Sequence, residues 1–129
     1  MIKKVKNKFI QYKNKNSLIL KKFYRSLSSD QRVLPDFIII GTQKGGTSSL
    51  YSYLMQHPGI IPALDKEIHF FDSPSNRAKG LSWYRKYFCT QSKKQNLAKK
   101  LGYLPLTGEA TPSLLFDLHA PKFVAQAIP

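Results

Sequence analysis

Acid is scarce in this chain. Its 129 residues carry 7 Asp and Glu against 21 Lys and Arg, a formal charge of +14, a balance that favours anionic partners such as nucleotides, sulfated or carboxylated sugars, nucleic acid or an acidic membrane surface. Charge alone does not choose among them. Cysteine occurs once, at Cys89, which excludes an intrachain disulfide and reads as a small filler residue rather than a nucleophile. Long apolar runs are missing too, and none approaches the roughly 20 residues that a membrane-spanning helix needs. The opening Met1-Ile2-Lys3-Lys4 has the positive charge of a signal peptide, but Lys and Asn interrupt it before an apolar stretch develops, so a cytoplasmic location is the expectation.

What is present is unevenly spread. Residues 1–32 hold ten Lys or Arg and a single acid, Asp30, a net of +9, whereas the remainder holds eleven against six, a net of +5. The length suits one domain with a core, yet is short for an enzyme that must bind a nucleotide and a second large substrate. One domain, and an incomplete one, is expected.

Residues 1–33 place Ile2, Val5, Phe9, Leu18, Leu20, Phe23 and Leu27 only loosely at helical spacing among Lys and Asn. Composition predicts a solvated, partly disordered basic leader; the alternative is a weakly amphipathic helix in peripheral contact with an anionic membrane. Pro35-Asp36 marks a boundary, and residues 34–129 form the second unit. Phe37-Ile38-Ile39-Ile40 predicts a strand buried on both faces, as in a parallel sheet covered by helices. Thr47 to Gln56 reads as a helix with Leu50, Tyr51 and Leu54 inward, stopped at His57-Pro58-Gly59. Ile60-Ile61-Pro62 is a brief second extended segment, Asp65 to Asp72 alternates polar and apolar at its centre, and Ser73 to Lys79 is a polar loop. Leu81, Tyr84, Lys86 and Phe88 suggest a short aromatic helix, residues 90–100 an exposed loop or frayed helix, and Leu104 to Ala110 another strand. Pro121 opens a last helix through Ile128. The expected class is α/β, a P-loop-like parallel sheet flanked by helices and incomplete.

Chemistry concentrates in two places. Gly41-Thr42-Gln43-Lys44-Gly45-Gly46-Thr47-Ser48 lies between a strand and a helix, where glycines let backbone N–H groups converge on an oxyanion at the positive end of the helix. Thr47 and Ser48 add hydroxyl donors and Lys44 a charge. The mononucleotide P-loop wants Lys directly after its last glycine, followed by Ser or Thr for magnesium; here Thr47 follows Gly46 and the lysine sits inside the loop. That shift disfavours a metal-bound triphosphate, and no metal is expected. A sulfuryl group carries less charge than a terminal phosphoryl group, so one lysine and backbone donors suffice for it.

This loop, continuing Ser49-Leu50-Tyr51, resembles the 5′-phosphosulfate-binding loop of sulfotransferases that use 3′-phosphoadenosine 5′-phosphosulfate, especially the heparan sulfate glucosaminyl sulfotransferase group and its bacterial relatives. The resemblance implies that Lys44, Gly45, Gly46, Thr47 and Ser48 contact the 5′-phosphosulfate of that co-substrate.

The second place is Lys66-Glu67-Ile68-His69-Phe70-Phe71-Asp72. In an extended backbone Glu67 and His69 share one face while Phe70 turns inward to anchor them, and a carboxylate beside an aromatic wall with a histidine in reach is equipped as a general base. The stretch resembles the Glu-x-His-Phe-Phe-Asp motif of heparan sulfate O-sulfotransferases, which implies Glu67 as catalytic base with His69 and Asp72 shaping the acceptor site. Gly80-Leu81-Ser82-Trp83-Tyr84 is similar to a Gly-x-x-Trp-Tyr stretch of the family. Gly108-Glu109-Ala110-Thr111-Pro112 is similar to its Glu-Lys-Thr-Pro strand end, with Ala110 where many members have a substrate-contacting lysine. In the family an arginine and a serine beyond the part resembling Ala120 to Pro129 hold the 3′-phosphate, so the resemblance covers residues 35–129 and implies the first part of a longer domain.

The function expected is therefore transfer of a sulfuryl group to a hydroxyl or amine, of a sugar or another acceptor, with Lys44 at the leaving phosphate. Two other readings stand beside it: a P-loop kinase or NTPase, which leaves the displaced lysine unexplained, and a basic module for nucleic acid or membrane driven by residues 1–32. No nucleic-acid partner is expected under the first. The acceptor, the choice of O- or N-sulfation and the oligomeric state stay open.

Overall fold

The computed structural model of the chain describes residues 2–128, with side chains described from residue 11 onward except that of Tyr12. In chain order it runs α1 (Ile2–Leu27), β1 (Phe37–Ile39), α2 (Thr47–Leu54), β2 (Ile60–Pro62), α3 (Pro74–Arg77), α4 (Gly80–Arg85), α5 (Gln91–Leu101), β3 (Leu106–Ala110) and α6 (Ala120–Ala127), with short 3-10 turns at Ser29–Gln31 and Pro112–Phe116. The three strands are parallel in the order β1-β3-β2. Parallel neighbours cannot be joined by a tight turn; α2 carries the chain from β1 to β2, and α3 to α5 carry it back to β3 between them. The result is an open α/β sheet flanked by helices.

The middle strand is unusual in composition. Thr107, Gly108, Glu109 and Ala110 are all buried, where a Val- and Ile-rich run is the norm. Its polar groups are therefore paired one by one. Thr107 donates from Oγ1 to the Ile61 carbonyl at 2.7 Å, and its amide donates to Asp36 Oδ2 at 2.7 Å. Lys94 Nζ, buried on α5, donates to both Asp36 oxygens at 2.7 Å. That tie explains why residues 91–101 are a defined helix rather than a frayed segment. Thr90 Oγ1 caps the helix by accepting from the Lys93 amide at 3.2 Å, and Gly102 ends it at φ 79°.

β1 departs from its expected environment. Phe37, Ile38 and Ile39 are only half-buried and Ile40 is exposed, because β1 is an edge strand, paired on one side by β3 and by no other strand among the described residues. Helix α2 is two residues shorter than expected and Leu50 faces outward; Tyr51 does the inward work, donating its hydroxyl to the Gly108 carbonyl at 3.3 Å and accepting the Ala63 amide at 3.2 Å. Within the expected polar loop 73–79, α3 is a short helix capped by the Ser73 side chain.

The main hydrophobic cluster lies under the site. Ile68, Phe70, Phe71, Tyr84, Tyr87, Phe88, Leu114 and Ala120 form it, with the Phe70 and Tyr84 rings stacked at 4.6 Å and Phe71 edge-on to Tyr84 at 5.2 Å. The basic leader is helical as α1, and its last turns are fastened to this body: Lys22 pairs with Asp65 at 2.9 Å and Arg25 donates to the Lys86 and Phe88 carbonyls.

Candidate active site

Parallel strands deliver their following loops to one end of the sheet, the usual place for a site in open α/β folds. The loop after β1, the segment after β2 and the turn after β3 meet there. Backbone bonds weld them: the Glu67 amide donates to the Ala110 carbonyl at 3.0 Å, Thr111 to Ile39 at 3.0 Å, and Leu115 to Ile40 at 2.8 Å. Between them is a cleft of about 340 Å³ lined by Gln43, Lys44, Thr47, Ser48, Glu67, His69, Pro112 and Ser113.

The glycine loop forms one wall. Gly46 has φ 84°, a conformation open to glycine, and starts α2. Its carbonyl accepts the first helical bond, from Leu50 at 2.9 Å, so the amides of Thr47 and Ser48 have no carbonyl one turn back. The Gly45 amide donates to the Thr42 carbonyl at 3.0 Å and closes the turn. Lys44, Thr47 and Ser48 thus line the cleft, while Gly45 and Gly46 shape the loop without lining it.

The opposite wall is Glu67 and His69, and here the backbone is not extended. Glu67 and His69 have φ 58° and 53°, as Lys44 has φ 59°, left-handed values that cost a residue with a side chain about 1–2 kcal/mol each. Such a conformation persists only where neighbours hold it. The Ile68 amide between the two donates to Glu109 Oε2 at 3.3 Å, and Asn76 Nδ2 donates to the His69 carbonyl at 3.0 Å. Ile68, Phe70 and Phe71 are driven into the core, which leaves Glu67 and His69 at the cleft. The two do share a face, through left-handed backbone rather than a strand.

His69 Nε2 stands 3.9 Å from Glu67 Oε2, an electrostatic contact rather than a hydrogen bond. Its Nδ1 is 2.9 Å from Asp72 Oδ2, which also accepts from Ser113 Oγ at 2.5 Å. Proton donation from Nδ1 to the carboxylate orients the ring with Nε2 toward Glu67. Burial pushes the Asp72 carboxyl up, but the Ser113 and His69 hydrogen bonds and the His69 charge outweigh it, and the net is below the ordinary value. Asp72 does not line the cleft; it reaches it through His69 and Ser113. Its Oδ1 is buried without a partner.

Three residues outside the expected set complete the arrangement. Lys66 Nζ donates to Ser48 Oγ and lies 3.6 Å from Glu67 Oε1, so one ammonium bridges the two walls. Ser113 lines the cleft and holds Asp72. Glu109 is fully buried and accepts from Tyr84 Oη at 2.5 Å, Thr111 Oγ1 at 2.7 Å and the Ile68 amide. Burial pushes its carboxyl up, and the three donors only partly offset that. Lys66 adjoins Glu67 in sequence and was available to inspection, and Glu109 lies in the Gly108–Pro112 stretch already singled out; nothing local marks Ser113.

A strand, a glycine loop and a helix, with the loop facing an acid–histidine pair across one cleft, define a P-loop-like α/β architecture. The sulfotransferase domain family matches residues 34–121, more than half of the chain, and the chain belongs to that family. It is 45 % identical over 76 residues to heparan sulfate glucosamine 3-O-sulfotransferase 5 of Mus musculus, covering 53 % of this chain and 22 % of that protein. It is 35 % identical over 101 residues to bifunctional heparan sulfate N-deacetylase/N-sulfotransferase 4 of Mus musculus, covering 74 % of this chain and 11 % of that protein. The chain thus spans about a fifth or less of the length of these curated relatives.

Proposed function

We propose that this chain carries the donor loop and catalytic base of a sulfotransferase that moves a sulfuryl group from 3′-phosphoadenosine 5′-phosphosulfate to a hydroxyl or amine of a carbohydrate. The observation that carries this reading is the shared cleft, with Lys44, Thr47 and Ser48 on one side and Glu67 and His69 on the other. The residues suit the co-substrate: an ammonium, two hydroxyls and the opening amides of α2 are donors for an anionic group. When bound, the donor supplies an activated sulfuryl group. Lys44 neutralises charge at the departing phosphate oxygen. Glu67 takes the proton of the acceptor, and His69, oriented by Asp72, keeps that carboxylate in place. Lys66 holds Ser48 and Glu67 in register across the cleft. A carbohydrate acceptor is supported by the names of the relatives, which act on heparan sulfate.

The test has two arms. Titration calorimetry with adenosine 3′,5′-bisphosphate is expected to show binding that Lys44→Ala weakens about tenfold or more, the loss of one charge-assisted bond. Glu67→Gln is expected to leave that affinity unchanged while lowering sulfate transfer to a glucosamine-containing oligosaccharide by about 100-fold or more. Equal bisphosphate affinity in Lys44→Ala would remove the loop from the donor site, and unchanged turnover in Glu67→Gln would remove the base.

A further inference from the structure

We infer that the outward face of α1 is a docking surface for an anionic lipid bilayer. Ile19, Leu20, Phe23, Tyr24 and Leu27 recur at the intervals that place residues along one side of a helix, and all five are exposed, from 56 % for Ile19 to 73 % for Leu27. Single exposed apolar residues are ordinary; five in one stripe are a patch. The sequence upstream keeps the same period with Ile2, Val5 and Phe9.

The helix is not free to roll that stripe inward. Its other side is moored by Lys22 on Asp65 at 2.9 Å and by Arg25, whose Nε and Nη2 donate to the Lys86 and Phe88 carbonyls at 2.5 Å each. Arg32 reinforces the mooring by donating to the same Phe88 carbonyl at 2.8 Å. Clamped there, α1 presents its apolar side to the surroundings.

Charge decides what covers it. Ile2–Leu27 contains no acid, Lys15 and Lys21 are exposed beside the stripe, and residues 1–32 carry +9. A second copy would set two such charges against each other, and a nucleic acid would leave the apolar stripe in water. A bilayer with anionic headgroups answers both features, taking the apolar residues below and the lysines among the phosphates. No helix among the described residues is long and apolar enough to cross a membrane, so α1 lies along the surface. The inference does not depend on sulfuryl transfer.

Flotation of the full chain with vesicles tests it, comparing phosphatidylcholine alone with an equal mixture of phosphatidylcholine and phosphatidylserine. The chain is expected to float with the mixed vesicles and not the neutral ones, and to be released by high salt. Phe23→Gln with Leu27→Gln, both at exposed positions, is expected to weaken partitioning more than about tenfold while circular dichroism stays unchanged. The inference is overturned by no flotation with mixed vesicles, by equal flotation with neutral ones, or by a folded double variant that floats as well as the wild type. Concentration-dependent self-association abolished by the same variant, or binding of a DNA duplex equally sensitive to it, would assign the stripe to those partners instead.

Discussion

Two carboxylates beside the cleft are pushed in opposite directions, and the difference lies in what each one touches. Asp72 accepts from Ser113 and His69 and is held below its ordinary value. A folded-state value below the unfolded one means that this carboxylate contributes stability in full above about pH 4, the unfolded range, and loses it as pH falls through the folded value. Ser113→Ala is expected to move the Asp72 midpoint upward in an NMR carboxyl titration, and an unmoved midpoint would show that the hydrogen bond does not set it. Glu109, deeper, is pushed up by burial despite three donors. Its task is geometric, holding the Ile68 amide between two left-handed residues. Glu109→Gln leaves at least one of Tyr84, Thr111 and Ile68 facing an amide NH₂, and is expected to cost about 2–4 kcal/mol in urea denaturation. Glu67 and His69 were legible as a pair from their spacing and chemistry. The left-handed turns that aim them were not, because they exist only by virtue of Glu109, Asn76 and Ala110, remote in sequence from one or both.

Among the elements, β3 shows how a strand without hydrophobic periodicity becomes the centre of a sheet. Gly108 is the reason it fits: a Cβ there would lie 2.5 Å from the Phe37 ring, so only glycine lets β1 and β3 approach with that side chain between them. Gly108→Ala is expected to destabilise the fold by about 1–3 kcal/mol, seen as a lower urea midpoint with unchanged slope. The strand at Phe37–Ile39, the helix after the glycine loop and the proline-started helix at Ala120–Ala127 were legible, since β-branched runs, glycine punctuation and N-terminal proline act locally. Helix α5 was not, because its stability draws on Lys94 reaching Asp36 across 58 positions of sequence. The edge position of β1 was equally hidden, since an apolar run does not say how many neighbours it will have.

For the molecule as a whole, +14 is a self-repelling charge that salt screens. Raising sodium chloride from about 0.1 M to about 1 M shortens the screening length from about 10 Å to about 3 Å, and the melting temperature is expected to rise by about 3 °C or more in differential scanning fluorimetry. A falling melting temperature would show that Lys22–Asp65 and Lys94–Asp36, which salt weakens, outweigh the general repulsion. By itself the sequence determined the strand–loop–helix unit, the residue types at the glycine loop, the Glu67 and His69 pair and the basic character of residues 1–32, all of which follow from local propensity and composition. Only the tertiary structure decided that the loop and the Glu67–His69 pair face one cleft, that Lys66 bridges them, that Asp72 reaches the cleft through His69 and Ser113, and that α1 is moored with its apolar side outward. Apart from the contact of Asp72 with His69, three residues back, those outcomes depend on contacts between segments 18 to 63 residues apart, and no local property of a chain encodes which distant groups the packing will bring within bonding distance.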